Sequence, residues 1–252
     1  MALFQDFGAA VASQNQDDML VIIPTFNNPT YLRLMVTQLL SKKLTRLLIC
    51  DNGSTFPEML VCLQELSEQH DVLMYGQNFG PRVYLTDSNF FWVLPSHFIL
   101  TDPDLLFNPL MPDNFIEMML DILNNHHHSK VGFALDIGSD ESKQKIPNLE
   151  EVQNKEWGFW SEPLPDFKGM TIYNGYIDTT FALYDKGKYA RDFNQCFSSQ
   201  STTCIRVAGN FTCQHMGWWS SEFLPHESDE LNYYAQHQTW SSVLGSEHNK
   251  QD

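Results

Sequence analysis

Two aspartates, Asp102 and Asp104, flank Pro103 at the end of the apolar run Phe98-Ile99-Leu100-Thr101, and apolar residues resume at Leu105-Leu106-Phe107. Carboxylates seldom sit in apolar surroundings without a partner, because an unpaired buried charge is costly. Two of them at i and i+2 offer the oxygen ligands that Mg²⁺ and Mn²⁺ take. The competing reading is a loop in which Asp102 and Asp104 cap turns, since Asp-Pro favours turn initiation. The elements that lead up to the pair weigh on that choice.

Residues 19–24 (MLVIIP) form an unbroken apolar run stopped by proline, the pattern of a strand covered on both faces. A turn follows at Thr25-Phe26-Asn27-Asn28-Pro29. Then Leu32, Met35, Val36, Leu39 and Leu40 recur on one face of a helix. Residues 47–50 predict a second strand ending at Asp51-Asn52-Gly53-Ser54. Phe56, Met59, Leu60, Leu63 and Leu66 predict another amphipathic helix, and residues 72–75 a third strand before Asn78-Phe79-Gly80-Pro81-Arg82. A mixed segment, 83–94, reads as helical, and 97–101 is the fourth strand. Alternating strands and helices build a parallel sheet. Ligands in such sheets bind beyond the carboxyl ends of the strands. Four polar clusters (Thr25/Asn27, Asp51/Asn52, Asn78/Arg82, Asp102/Asp104) would therefore converge on one crevice. Each cluster alone is ordinary loop chemistry; their succession, with the acidic pair last, favours a site.

The later part of the chain is patterned differently. Residues 114–123 predict a helix running into His126-His127-His128, read as a solvated helix end that suits the dipole rather than as a metal site. Residues 131–137 predict a strand and 138–153 a mobile polar loop. Strands are expected at 170–173, 176–184 and 204–207, paired antiparallel because no helix is evident between them. This predicts a single domain over 19–244, with 19–110 as one half and a more β-rich half over 111–244. Residues 1–18 and 245–252 read as tails.

With 252 residues, 42% of them hydrophobic, the chain suits one ordinary globular domain. No apolar run of membrane-spanning length occurs, and residues 1–18 lack the pattern of a secretory signal. Fifteen Lys and Arg against 31 Asp and Glu give a net charge of −16, which disfavours both a binder of nucleic-acid phosphate backbone and docking on anionic lipid. Five scattered cysteines (Cys50, Cys62, Cys196, Cys204, Cys213) without CxxC spacing read as reduced thiols in a cytoplasmic protein.

The segments VIIPTFNN (21–28), LLICDNGST (47–55), NFGPR (78–82) and FILTDPDLLF (98–107), in this order, resemble the nucleotide-sugar glycosyltransferases of the GT-A fold, especially the family 2-like bacterial group. The resemblance covers roughly residues 19–110. IDTTFALYDK (177–186) and IRVAGNFTCQHMGWW (205–219) are weaker matches to acceptor-side segments of polysaccharide-assembling members. The usual Asn-x-Gly-x-x-x-Ala-Arg-Asn segment is not intact at 78–82.

The resemblance implies a GT-A-like, Rossmann-like α/β fold: a mostly parallel sheet flanked by helices, with a β-rich acceptor half. It implies that Pro24, Thr25 and Phe26 flank the base and ribose of a nucleoside diphosphate-sugar. Asp51 would accept a hydrogen bond from base or ribose, Asn78 and Arg82 stand where further nucleotide contacts fall, and Asp102 would meet the ribose or a sugar hydroxyl. Asp104 would hold Mn²⁺ or Mg²⁺ between the phosphates, with His215 completing the metal shell. Sugar transfer to a saccharide or glycolipid acceptor would need a base if inverting, and Asp178 is the first candidate, ahead of Glu222 and then Glu227 and Asp229. Trp157, Trp160, Trp218 and Trp219 could stack on sugar faces or pack internally. Two alternatives stay open. A sugar-phosphate nucleotidyltransferase would carry a Gly-rich, basic loop after the first strand, which residues 21–30 lack; a non-catalytic sugar-nucleotide-binding module would keep the fold without turnover.

Overall fold

A computed structural model describes residues 2–13, 18–191, 204–224 and 228–237. The first four strands, β1 (Val21–Thr25), β2 (Leu47–Asp51), β3 (Asp71–Met74) and β4 (His97–Leu100), lie parallel in the order β3-β2-β1-β4. Helices α2 (Pro29–Ser41) and α3 (Pro57–Leu66) make the crossovers from β1 to β2 and from β2 to β3. The predicted helical segment after β3 is two single turns, α4 (Val83–Thr86) and α5 (Ser88–Phe91), broken at Asp87, which caps α5 through Asn89 N. The chain then returns to the other side of β1, so the strand order reverses between β1 and β4.

The unbroken apolar strands are explained by two covered faces. Val21, Ile23, Leu47, Ile49 and Ile99 pack with Leu32, Met35, Leu39 and Met59 of α2 and α3. Ile22, Leu48, Cys50, Phe98 and Leu100 pack on the opposite face with Tyr84, Phe90 and the N-terminal helix α1 (Ala2–Ser13). Fully burying one such side chain is worth about 1.5–3 kcal/mol. Residues 2–13 are therefore not a tail. Phe7 and Val11, one helical turn apart, are both buried, and the Phe7 ring lies 5.6 Å from Tyr84 and 4.8 Å from Phe90.

The sheet continues beyond β4 with β8 (Ala182–Asp185), β6 (Lys130–Phe133), β9 (Cys204–Val207) and β7 (Ile172–Asn174). The expected antiparallel pairing is found for β8 against both β4 and β6 and for β7 against β9, whereas β6 and β9 run parallel. Helix α6 (Phe115–Asn125) precedes β6. The supposed mobile loop at 138–153 contains α7 (Asp140–Lys145) and enters α8 (Leu149–Glu156). Ser139 caps α7 by accepting from Ser142 N. Ile146 and Val152 bury into a third apolar cluster with Tyr31, Met216 and Trp219, a contact invisible to local polarity. A short helix, α9 (Lys186–Arg191), follows β8. The expected strand over 176–184 is confined to Ala182–Asp185, and residues ahead of it are tied elsewhere: Tyr176 O to Arg206, Ile177 O to Lys130 and Thr179 to Asp102. The histidine run is only partly a solvated end: His128 is half-buried and its Nε2 lies 3.3 Å from Asn174 Oδ1.

Of the remaining elements, β5 (Leu105–Leu106) pairs antiparallel with β10 (Gln214–His215), and α10 (Ser228–His237) packs near α2. Cys196, Glu227 and the tail 245–252 lie outside the described residues. Among the described residues, no helix is long and apolar enough to cross a membrane.

Candidate metal and nucleotide site

Leaving β4, Thr101 is fully buried, and Asp102 and Asp104 project from the turn that leads into β5. The small β5–β10 ladder sets His215 opposite Leu105, and Met216 N donates to Asp104 O at 2.8 Å. A residue 111 positions further along the chain is thereby brought to the acidic pair. Among the described residues, Asp102, Asp104 and His215 form the single His/Cys/Asp/Glu cluster able to hold a metal, each with a ligand atom within 4.8 Å of the others. His215 Nδ1 lies 3.6 Å from Asp104 Oδ2.

Three features fit this cluster to a divalent cation. Asp104 Oδ1 and His215 Nδ1 are buried and have no hydrogen-bond partner, an arrangement that is expensive unless something else satisfies them. Carboxylate oxygens suit Mn²⁺ or Mg²⁺, and an imidazole nitrogen is a further donor to a divalent cation, with water able to complete the shell. Gly217 keeps the space open: a Cβ there would stand 2.5 Å from Asp104 Oδ2 and 2.9 Å from His215 Cε1. The His215 ring is fixed by stacking on Trp218, with centroids 4.6 Å apart and planes at 14°.

Asp102 differs from Asp104. Its Oδ2 accepts from Thr179 Oγ1 at 2.7 Å, and its backbone N donates to Thr179 O at 3.0 Å. Burial, and next the adjacent Asp104 carboxylate, push its pKa well above the usual carboxylate range, against the opposing effect of the Thr179 hydroxyl. A cation beside it would reverse that penalty.

The other three strand ends meet at the same edge but are bound largely to one another. Asn27, in the left-handed region at φ 51°, accepts at Oδ1 from Thr55 N and Phe56 N (2.8 and 3.0 Å), and its own N donates to Ser54 Oγ. Asp51, expected to meet base or ribose, is buried with its carboxylate turned into its own loop. It accepts from Gly53 N and Ser54 N, and from the Ser54 hydroxyl. Burial raises its pKa, and the Ser54 and Gly53 bonds work the other way. In this structure its carboxylate sets the turn. Gly53, at φ 79°, lies so close to the Gln77 backbone that a Cβ would approach its N to 2.8 Å. Asn78 likewise accepts from Gly80 N, two residues on. Pro24 and Thr25 are buried at the end of β1, with the Thr25 hydroxyl donating to Asn28 Oδ1, while Phe26 is partly exposed.

Arg82 reaches across to Asp178: its Nε donates to Asp178 Oδ1 at 2.9 Å and Nη2 to the same oxygen. Asp178 is not in a strand and is not buried; it is an exposed residue between buried Ile177 and Thr179. Glu222 is exposed and accepts from the Ser220 hydroxyl at 3.3 Å. Trp160 packs edge-on to Tyr173, Lys145 sits over the Trp219 ring at 3.8 Å, and Trp157 is 66% exposed. The cysteines are set apart from this chemistry. Cys50, Cys62, Cys204 and Cys213 are buried thiols, and burial pushes those of Cys62 and Cys50 up to about 11 and about 12.

No protein-family model matches the sequence, and no curated protein matches it. Solved structures of similar fold include residues 1–349 of S. aureus TarS (11% identity, TM-score 0.47, 79% of this chain and 60% of that one). Another is glucosyl-3-phosphoglycerate synthase from Mycobacterium tuberculosis with Mn²⁺, UDP-glucose and phosphoglyceric acid (12%, 0.41, covering 91% and 78%). A third is GalNAc-T7 with UDP, GalNAc and Mn²⁺ (11%, 0.48, covering 86% and 48%). This chain thus spans less than two thirds of the TarS fragment and about half of GalNAc-T7. None of the three reaches a TM-score of 0.5, and the chemistry of this chain has to be read from its own residues.

Sequence reasoning missed Gly217 and Thr179. Thr179 carries no motif; Gly217 had one signal, a glycine two residues from the candidate ligand His215 and flanked by tryptophan.

Proposed function

We propose that this protein is a metal-dependent glycosyltransferase that moves a sugar from a nucleoside diphosphate donor to a saccharide or lipid-linked glycan acceptor. The observation that carries the reading is the Asp102/Asp104/His215 cluster, with its unpartnered Oδ1 and Nδ1, placed where the strand order reverses. When bound by Asp104 and His215, Mn²⁺ or Mg²⁺ would supply the positive charge that a departing nucleoside diphosphate needs in a chain of net charge −16. Asp102, held by Thr179, is the hydroxyl-binding carboxylate for ribose or sugar. Phe26, partly exposed just after β1, offers an apolar face for the base. Asp178, oriented by Arg82, takes the acceptor proton; Glu222 is the second candidate for that role. Polysaccharide or glycan assembly in the cytoplasm is the setting that fits this reading.

The experiment is a pair of measurements on the intact protein. Thermal shifts with UDP, GDP, CDP and dTDP are recorded with and without Mn²⁺, and release of the diphosphate is followed from the corresponding sugar donors. The expected result is stabilisation by one nucleotide that requires Mn²⁺, and release from its donor. Metal-dependent stabilisation with no release from any donor, even with oligosaccharide acceptors, would replace the enzyme with a binding module.

A further inference from the structure

Two cations buried in the far half of the sheet point at the segment that carries Asp178. Lys130 on β6 and Arg206 on β9 are 3% and 2% exposed. Arg206 pairs with Gly132 in the β6–β9 register, so the two cations lie two residues apart on one face. Lys130 Nζ donates to Ile177 O, above the rings of Tyr176 and Tyr184 at 5.3 and 5.4 Å. Arg206 Nε donates to Tyr176 O at 2.7 Å, while its Nη1 donates to Glu156 Oε2 at 2.7 Å and its guanidinium lies 4.8 Å from the Phe159 ring.

Two consecutive carbonyls just before Asp178 are therefore each held by a buried cation. The segment's ends are fixed as well. Gly175 N donates to Cys204 O, and Thr179 is bonded twice to Asp102. Two glycines permit this close seating: a Cβ on Gly132 would stand 2.6 Å from Phe181 O, and one on Gly175 would stand 2.6 Å from Phe159 O. Burying two cations is costly, and bonds from charged donors are the strong kind. In a segment otherwise without strand pairing, that strength sets a backbone position.

We infer that Lys130 and Arg206 are positioning residues that hold residues 176–179 so that Asp178 and Thr179 stand in fixed relation to Asp102. This rests on the glycosyltransferase reading only for its catalytic consequence. The test compares wild type, Lys130→Met and Arg206→Lys, the last keeping the charge but losing the fork that serves Tyr176 and Glu156 together. Leu39→Ala, in the distant α2 packing, controls for lowered stability. Amide exchange of the peptide spanning 175–181 is read by mass spectrometry, and steady-state release of diphosphate from the donor that the release screen selects gives kcat and KM.

Both variants are expected to raise exchange in that peptide by about tenfold or more, with β1 and β2 protected as in the control. The kcat should fall about tenfold with KM for the donor unchanged. Exchange within about twofold of wild type in the folded variants would overturn the inference. So would raised exchange with unchanged kcat. If Lys130→Met does not fold, Arg206→Lys decides. Absence of turnover by wild type with every donor sinks the glycosyltransferase reading instead, and the exchange measurement still decides whether the cations position the segment.

Discussion

The two halves of the sheet organise polar groups in different ways. Around β1, β2 and β3, polar side chains bond mostly to backbone within the same turn or the neighbouring one: Asp51 to Gly53 and Ser54, Asn78 to Gly80, Asn27 to residues 54–56. Beyond β4 the bonds that shape the site join residues far apart in the chain: Arg206 to Tyr176 and Glu156, Asp102 to Thr179, His215 beside Asp104. The first half is a rigid local frame. The second delivers the groups that complete the chemistry. Substitutions in the frame should therefore cost stability, and substitutions beyond β4 should cost activity with the fold retained.

The largest effect is expected at the junction of the halves. Asp104→Asn should remove Mn²⁺-dependent stabilisation by nucleoside diphosphate and lower donor turnover by about two orders of magnitude or more, since the Lewis-acid contribution is worth several kcal/mol. Gly217→Ala should give the same loss of Mn²⁺ response in titrations, because its Cβ occupies the space between Asp104 Oδ2 and the His215 ring. A normal Mn²⁺ response in both variants would remove the metal site.

Next comes Asp178→Asn. Transfer should fall by about a hundredfold while Mn²⁺-dependent nucleotide binding stays intact. The melting temperature should hardly move, because an ion pair as exposed as Arg82–Asp178 contributes about 0–1 kcal/mol. Wild-type transfer rates would make Glu222 the base to examine.

In the frame, Asn27→Ala is the contrasting change. It deletes two bonds to backbone N–H groups and leaves a non-glycine residue in the left-handed region without a side-chain anchor. Chemical denaturation should show a loss of about 2–3 kcal/mol. Activity per folded molecule should stay close to wild type; a large fall with unchanged stability would dissolve the contrast between the halves.

The smallest expected effect is on the pH dependence of the metal-free protein. Burial and the Asp104 charge raise the folded pKa of Asp102 above its unfolded value of about 4. The neutral form is thus favoured by folding. Its stabilisation is complete below about pH 4 and is lost as pH climbs through the raised folded value. Melting temperatures measured with chelator should fall over that range in wild type, and Asp102→Asn should lack that component and melt higher near neutral pH. Mn²⁺ should narrow the difference. Identical pH profiles in the two proteins would show that Asp102 carries no such penalty.

The sequence by itself determined the frame. Apolar runs at 19–24, 47–50 and 97–101, each followed by a polar turn, have the pattern of strands covered on both faces, and the period-3.6 residues after the first two supply α2 and α3 on one of those faces. It also placed Asp102 and Asp104 at a strand end, because that follows from local order. Several features needed the tertiary structure: helix α1 on the core, the α7–α8 segment under Trp219, Gly217 at the cluster, and Lys130 and Arg206 on residues 176–177. The same is true of Asp51, whose carboxylate turned inward to its own loop when its neighbours were in place. Local pattern reports what a residue's immediate neighbours demand. A carboxylate's partner, a buried cation's target or the space left by a glycine is set by strand pairing across some 30 to 110 residues. The β5–β10 ladder is the clearest case: two residues on each side bring His215 to Asp104 and turn an acidic turn into a candidate metal site.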